Sequence, residues 1–88
     1  MRFEYTRRFL KEHRKAPANI KQVFAERLRI FSSDQFYPIL HNHSLTGEYR
    51  DCRSINITGD WRAIFKLLND GARIIFITLG THSQLYQQ

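Results

Sequence analysis

Between Glu48 and Leu79 the chain runs through three segments of strand-like pattern separated by turn sequences. This meander restricts the possible folds more than any other feature. The first segment, Glu48 to Ile57, sets Tyr49, Asp51, Arg53, Ile55 and Ile57 against Arg50, Cys52, Ser54 and Asn56, the two-residue period of a strand. Thr58-Gly59-Asp60 turns the chain into a second segment, Trp61 to Leu68. Asn69-Asp70-Gly71-Ala72 is a hairpin signal, with Asp-Gly suited to the positive φ angles of a type I′ turn. The third segment, Arg73 to Leu79, is rich in Ile and Phe and reads as the central strand. Gly80 ends it and leaves a tail from Thr81 to Gln88.

Ahead of the meander the period changes. Arg2-Phe3-Glu4-Tyr5 alternates as a short strand does, and Thr6 is placed to cap a helix over Arg7 to Lys15 with Phe9, Leu10 and His13 toward the core. Pro17 disfavours helical backbone at Ala16 and suits the first position of a second helix. In that helix Ile20, Val23, Phe24, Leu28 and Phe31 recur at steps of three and four, one apolar stripe that ends at Ser32-Ser33-Asp34. Residues 35–47 lack a period, and Pro38, Asn42 and Thr46-Gly47 mark them as a loop long enough to be functional. The order predicts an α+β fold: a single small domain with a short N-terminal strand, two helices, then a three-stranded antiparallel meander. The first strand has no neighbour in sequence to pair with. Paired non-locally, it completes a four-stranded sheet with helices on one face.

At 88 residues there is room for one thin core, and seven Phe, four Tyr and one Trp supply the apolar area to form it. The single cysteine, Cys52, excludes an internal disulfide framework and a cysteine-rich zinc site. No segment resembles a signal peptide or reaches membrane-spanning length, so a soluble, cytoplasmic protein without membrane contact is expected. The net charge of +6 is uneven: residues 1–30 hold nine bases and three acids, residues 31–88 five of each. A basic N-terminal third favours a polyanion, either nucleic acid or an acidic protein.

Four histidines frame the candidate chemistry. His13 sits in the basic helix and reads as a surface residue. His41 and His43 lack a third ligand at metal-site spacing, so neither a metal nor another cofactor is expected. His82 follows the end of a buried strand, where reactive groups are commonly presented. Arg50, Arg53, Asp60, Arg62, Lys66 and Tyr86 are candidates to converge with it on the sheet's open face. Arginine binds phosphate bidentately, and an imidazole donates or accepts a proton near neutral pH. Such a set is equipped to cut a phosphodiester, with a base for the ribose 2′-OH, a cation for the phosphate and an acid for the leaving oxygen. Trp61 and Tyr86 are candidates to stack bases, although Trp61 suits the core equally well.

The segments His43-Ser44-Leu45-Thr46-Gly47, Tyr49-Arg50-Asp51-Cys52-Arg53, Gly59-Asp60-Trp61-Arg62-Ala63-Ile64-Phe65 and Gly80-Thr81-His82-Ser83-Gln84-Leu85-Tyr86 together resemble the RelE/ParE toxin superfamily, and within it the YafQ-like branch. The resemblance implies that residues 1–88 are a single RelE-like toxin domain of a type II toxin–antitoxin pair. It implies a ribosome-dependent mRNA endoribonuclease that works without metal and arrests translation. The partners it implies are a cognate antitoxin and mRNA on the ribosome, with operator DNA reached only through the antitoxin. It assigns acid–base or orienting roles to His43, Asp60 and His82, a phosphate-steadying role to Arg62 and a terminal aromatic role to Tyr86. Arg50, Arg53, Trp61 and Lys66 are then the expected RNA contacts. Asn56 stands where that branch has a histidine and Thr78 where it has an arginine. Those departures keep open a noncatalytic, ParE-like growth inhibitor or a catalytically weakened family member acting by binding, and the basic helices keep open a plain nucleic-acid-binding module.

Overall fold

Helical periodicity in the N-terminal third and strand alternation in the C-terminal half produce two layers in the computed structural model, which describes residues 1–86. The elements are β1 (Arg2–Tyr5), α1 (Arg7–Lys15), α2 (Ala18–Ser33), β2 (His43–Ser44), β3 (Arg53–Asn56), β4 (Trp61–Leu68), β5 (Arg73–Thr81) and α3 (His82–Tyr86). They form a five-stranded sheet in the order β1-β5-β4-β3-β2. The meander is antiparallel, and β1 joins β5 in parallel, Phe3 opposite Ile74 and Tyr5 opposite Phe76. None of the described helices is long and apolar enough to cross a membrane.

Thr6 begins α1 as its sequence implied. Its hydroxyl oxygen accepts from the Phe9 N–H at 3.0 Å and donates to the Ile77 carbonyl at 2.8 Å, so one side chain caps the helix and ties it to β5. Ala16, just ahead of Pro17, is extended, and α2 starts immediately after the proline. Phe9, Ile20, Phe24 and Phe31 bury against Ile55, Phe65, Ile74 and Phe76 of the sheet. Several rings meet edge-on: Phe24 and Phe76 at 5.4 Å and 85°, Phe31 and Phe65 at 5.3 Å and 89°.

Five local expectations need correction. Leu10 is exposed, because α1 packs through Phe9, with Glu12 and His13 half-buried on the same side, and residue 10 lies about 100° around the helix from residue 9. His13 is half-buried against the Phe9 and Phe24 rings, which agrees with its place on the core side of α1 and corrects its reading as a surface residue; burial, with Lys21 nearby, pulls its pKa below the ordinary value. The first meander strand is short. Residues 47–49 form a 3₁₀ turn, and Arg50-Asp51 form a tight turn closed by the Cys52 N–H to the Tyr49 carbonyl, with Asp51 at φ 76°. In the last hairpin the left-handed pair is Asn69-Asp70, at φ 52° and 55°, with Gly71 at 88°. The expected tail is α3, and Gln87 and Gln88 lie outside the described residues.

This last helix gives the sheet a partial second layer. Leu85 packs with Cys52 and Ile64 on the side opposite α1 and α2, alongside Leu45, Tyr49, Ile77 and Tyr86. The expectation of helices on one face therefore holds for α1 and α2 and fails for α3. Strand β2, which lengthens the sheet from four strands to five, pairs His43 with Ser54 and Ser44 with Arg53.

Candidate active site

Arg62 occupies the second position of β4, opposite Asn56 of β3 and Gly80 of β5. Its Nη1 donates to the Gly59 carbonyl at 2.7 Å and to the Thr58 carbonyl at 3.2 Å. The turn that ends β3 thereby holds one nitrogen of the guanidinium. Among the described residues, Nε and Nη2 are left to meet an anion. Asn56 is half-buried beside it, and its Oδ1 has no partner among the described residues.

On one side of Arg62 stands α3. A reciprocal cap fixes its start: Gln84 N–H donates to Thr81 Oγ1 at 3.2 Å, and Thr81 N–H to Gln84 Oε1 at 2.9 Å. The His82 N–H donates to the Asp60 carbonyl at 2.9 Å. Gly80 leaves the space into which this turn folds, since a Cβ there would stand 3.0 Å from Gln84 Oε1 and 3.4 Å from a Leu85 methyl. The His82 and Tyr86 rings, four residues apart on one helix face, lie 4.7 Å apart.

On the other side stands the segment that leads into β2. The 3₁₀ turn Pro38–Leu40 ends at His41, which is left-handed at φ 47°, ψ 47°. His43 Nδ1 lies 2.8 Å from the His41 carbonyl, and the two rings are 4.9 Å apart. His41, His43, Leu45, Arg62, His82 and Tyr86 together line a cleft of about 370 Å³. Other depressions range from about 340 to about 370 Å³, so size does not single this one out. Composition does, because it alone among them gathers three imidazoles, a guanidinium and a phenol.

Of the residues expected to act, His43, Arg62, His82 and Tyr86 meet in this cleft. Asp60 reaches it through its main chain, with its carboxylate exposed at the turn. Arg53 is held elsewhere: Nε donates to Asn42 Oδ1 at 2.7 Å, and the guanidinium lies over the Phe36 ring at 5.5 Å. Arg50 is exposed at the turn after the second 3₁₀ segment, and Lys66 is exposed four residues along β4 from Arg62, about 13 Å away. Trp61 packs against the helical core and lines a groove with Arg8, Glu12, Lys15 and Leu79, on the face of the sheet opposite Arg62. Burial pushes the Cys52 thiol up, which keeps it protonated at neutral pH. Among the described residues no three His, Cys, Asp or Glu side chains are grouped to hold a metal ion.

A family model described as the bacterial toxin of a type II toxin–antitoxin system, YafQ, matches residues 1–87. The chain belongs to this toxin family. The toxin's fold is similar to that of YafQ from E. coli strain BL21(DE3), with a TM-score of 0.71 at 23% identity, covering 98% of this chain and 99% of that one. It is similar also to a YoeB/ParE toxin from Agrobacterium tumefaciens, with a TM-score of 0.77 at 18% identity over 93% of this chain and 99% of the other. A chain of the E. coli DinJ–YafQ complex matches with a TM-score of 0.70 at 24% identity, covering 98% and 99%. No curated protein sequence matches the toxin significantly.

Sequence reasoning weighed His41 only as a metal ligand, and the structure adds it to the cleft wall. It also missed α3. The signal for α3 was present, because Thr81-His82-Ser83-Gln84 has the spacing of a capping box.

Proposed function

We propose that this toxin is an endoribonuclease that cleaves mRNA on the ribosome and is held inactive by a cognate antitoxin. One observation carries the reading: Arg62 stands on β4 between a wall bearing His43 and a wall bearing His82. Cleavage through the 2′-oxygen needs a base on one side of the phosphorus and an acid on the other, with positive charge between them. His43 takes the proton of the 2′-OH. The 2′-oxygen then attacks phosphorus, the bond from phosphorus to the 5′-oxygen breaks, and the His82 imidazolium gives its proton to that oxygen. The products are a 2′,3′-cyclic phosphate and a 5′-hydroxyl. Arg62 steadies the charge on the phosphoryl oxygens, and Tyr86 braces His82 and offers a ring to a neighbouring base.

Asp60 acts in this scheme through the carbonyl that anchors His82. Arg50 and Lys66 serve as cations for the flanking RNA strand, whereas Arg53, paired opposite the core residue Phe65, lies on the other face of the sheet from Arg62. The antitoxin reading rests on the family and on the surplus of positive charge in α1 and α2, which suits an acidic partner. Contact with operator DNA would then belong to the antitoxin, and the setting is the cytoplasm.

The test is induced expression of wild type and His82→Ala in growing bacteria, with primer extension on abundant mRNAs. Discrete new 5′ ends within translated regions, absent for His82→Ala, are the expected result. Growth arrest with intact mRNA overturns the ribonuclease reading in favour of a noncatalytic inhibitor.

A further inference from the structure

Resting on the ribonuclease reading, we propose that His41 is a positioning residue whose main-chain carbonyl, presented by a left-handed backbone, fixes the tautomer of His43. His43 Nδ1 lies 2.8 Å from that carbonyl. A carbonyl oxygen can only accept, so the bond requires the hydrogen on Nδ1. In the neutral ring the lone pair is then on Nε2, the nitrogen left for the cleft. A general base needs that arrangement, because a ring protonated at Nε2 has nothing with which to take the 2′-OH proton.

The carbonyl points to His43 because His41 departs from ordinary backbone. At φ 47°, ψ 47° it ends the preceding 3₁₀ turn, its own N–H donating to the Pro38 carbonyl at 3.1 Å. The left-handed region is costly for most side chains and worst for β-branched ones. The conformation is held from both sides. Leu40 before it is fully buried, while Asn42 after it bonds to the Gln35 carbonyl through Nδ2 and to Arg53 through Oδ1. Strain kept in place by its surroundings beside a candidate site is a recognised form of pre-organisation. On this assignment the exposed His41 ring matters less than its φ angle, which sets an unusual ranking of substitutions.

The experiment compares His41→Gly, His41→Asn and His41→Val. For each, the ring tautomer of His43 is read by long-range ¹H–¹⁵N NMR of the free toxin, and kcat and KM are measured for single-site RNA cleavage. Gly and Asn tolerate the left-handed region; they are expected to keep the Nδ1–H tautomer and to retain kcat at least about 10-fold above Val. Val is expected to shift His43 toward the Nε2–H tautomer and to lose about 10- to 100-fold in kcat with little change in KM. If Val destabilises the fold as a whole, His41→Ala gives the same ranking in milder form. A Val variant that keeps both tautomer and rate overturns the assignment, as does a Gly variant as impaired as Val. If the wild type cuts no RNA while the tautomers still follow this order, the ribonuclease reading fails and the carbonyl's hold on His43 stands.

Discussion

The Glu12 carboxylate on α1 accepts from the Thr78 hydroxyl at 2.8 Å and from the Leu79 N–H at 2.9 Å, where β5 slips register against β4 between Ile64 and Phe65. Arg8, one turn earlier, donates to the same carboxylate at 3.2 Å. A bulge leaves ladder groups unpaired, and here an acidic side chain from the helical layer satisfies them. Thr78 is fully buried by this arrangement and is committed to the fold. Glu12→Ala strands a buried hydroxyl and an amide, and is expected to cost about 1–3 kcal/mol. Glu12→Gln keeps an acceptor and should lose less. Urea denaturation of the two variants checks this, and equal losses would contradict it.

Thr81 and Gln84 cap one another at the start of α3, and that helix carries both His82 and Tyr86. A five-residue helix has little stability of its own. Thr81→Ala should therefore cost about 1 kcal/mol and act mainly on this turn. The expected signature is faster amide exchange over residues 82–86 with a lowered kcat, while Thr81→Ser stays near wild type. Exchange that remains unchanged in Thr81→Ala would show that Leu85 packing and the His82–Asp60 main-chain bond, rather than the cap, hold the turn.

The parts of the fold legible in the sequence were those set by local pattern. Thr6, Pro17 and the stripe from Ile20 to Phe31 mark the helices because caps and periodicity act within a few residues. What escaped was decided by backbone dihedrals or distant contacts. Asp51 alternates as a strand residue would, yet its φ of 76° makes a turn, and no residue type other than Gly announces such an angle reliably. Leu10 differs from Phe9 only in which way α1 rolls on the sheet. At the site, His43, Arg62, His82 and Tyr86 were found by residue type and resemblance. His41 entered through a left-handed turn, and Trp61 turned to the other face by strand parity.

That parity separates two neighbouring residues cleanly. Arg62 faces the cleft and Trp61 the helical core, so their substitutions should divide between chemistry and stability. Arg62→Ala is expected to lower kcat about 100-fold or more with the fold retained, and Arg62→Lys to recover part of it. Trp61→Phe should leave cleavage within about twofold while costing about 1–3 kcal/mol of stability. A matched set of cleavage assays and thermal melts decides the matter, and a large loss of RNA binding in Trp61→Phe would put that ring in the RNA path.

Among the described residues, the strand pairing that joins distant parts of the chain, β1 with β5, carries its own pH signature. Arg73 of β5 holds Glu4 of β1 through two bonds at 2.7 and 2.8 Å, and Arg2 adds a third at 3.1 Å. The Arg73 bonds first, then Arg2, hold the Glu4 carboxyl down at about 2, from an ordinary 4.5. A carboxyl with a depressed pKa in the folded state binds fewer protons there than in the unfolded chain. Its stabilising effect is therefore complete above about 4.5 and is lost as the pH falls through about 2. Glu4→Gln lacks the titrating group, so its stability should fall less steeply than wild type across that window. Because the pair is only partly buried, added salt should narrow the difference. Urea midpoints from pH 6 to about pH 2, with a ¹³C titration of Glu4, test both statements. Parallel curves for the two proteins would mean that β1 is held by Phe3 and Tyr5 packing on Phe76, with the ion pair contributing nothing to the pairing.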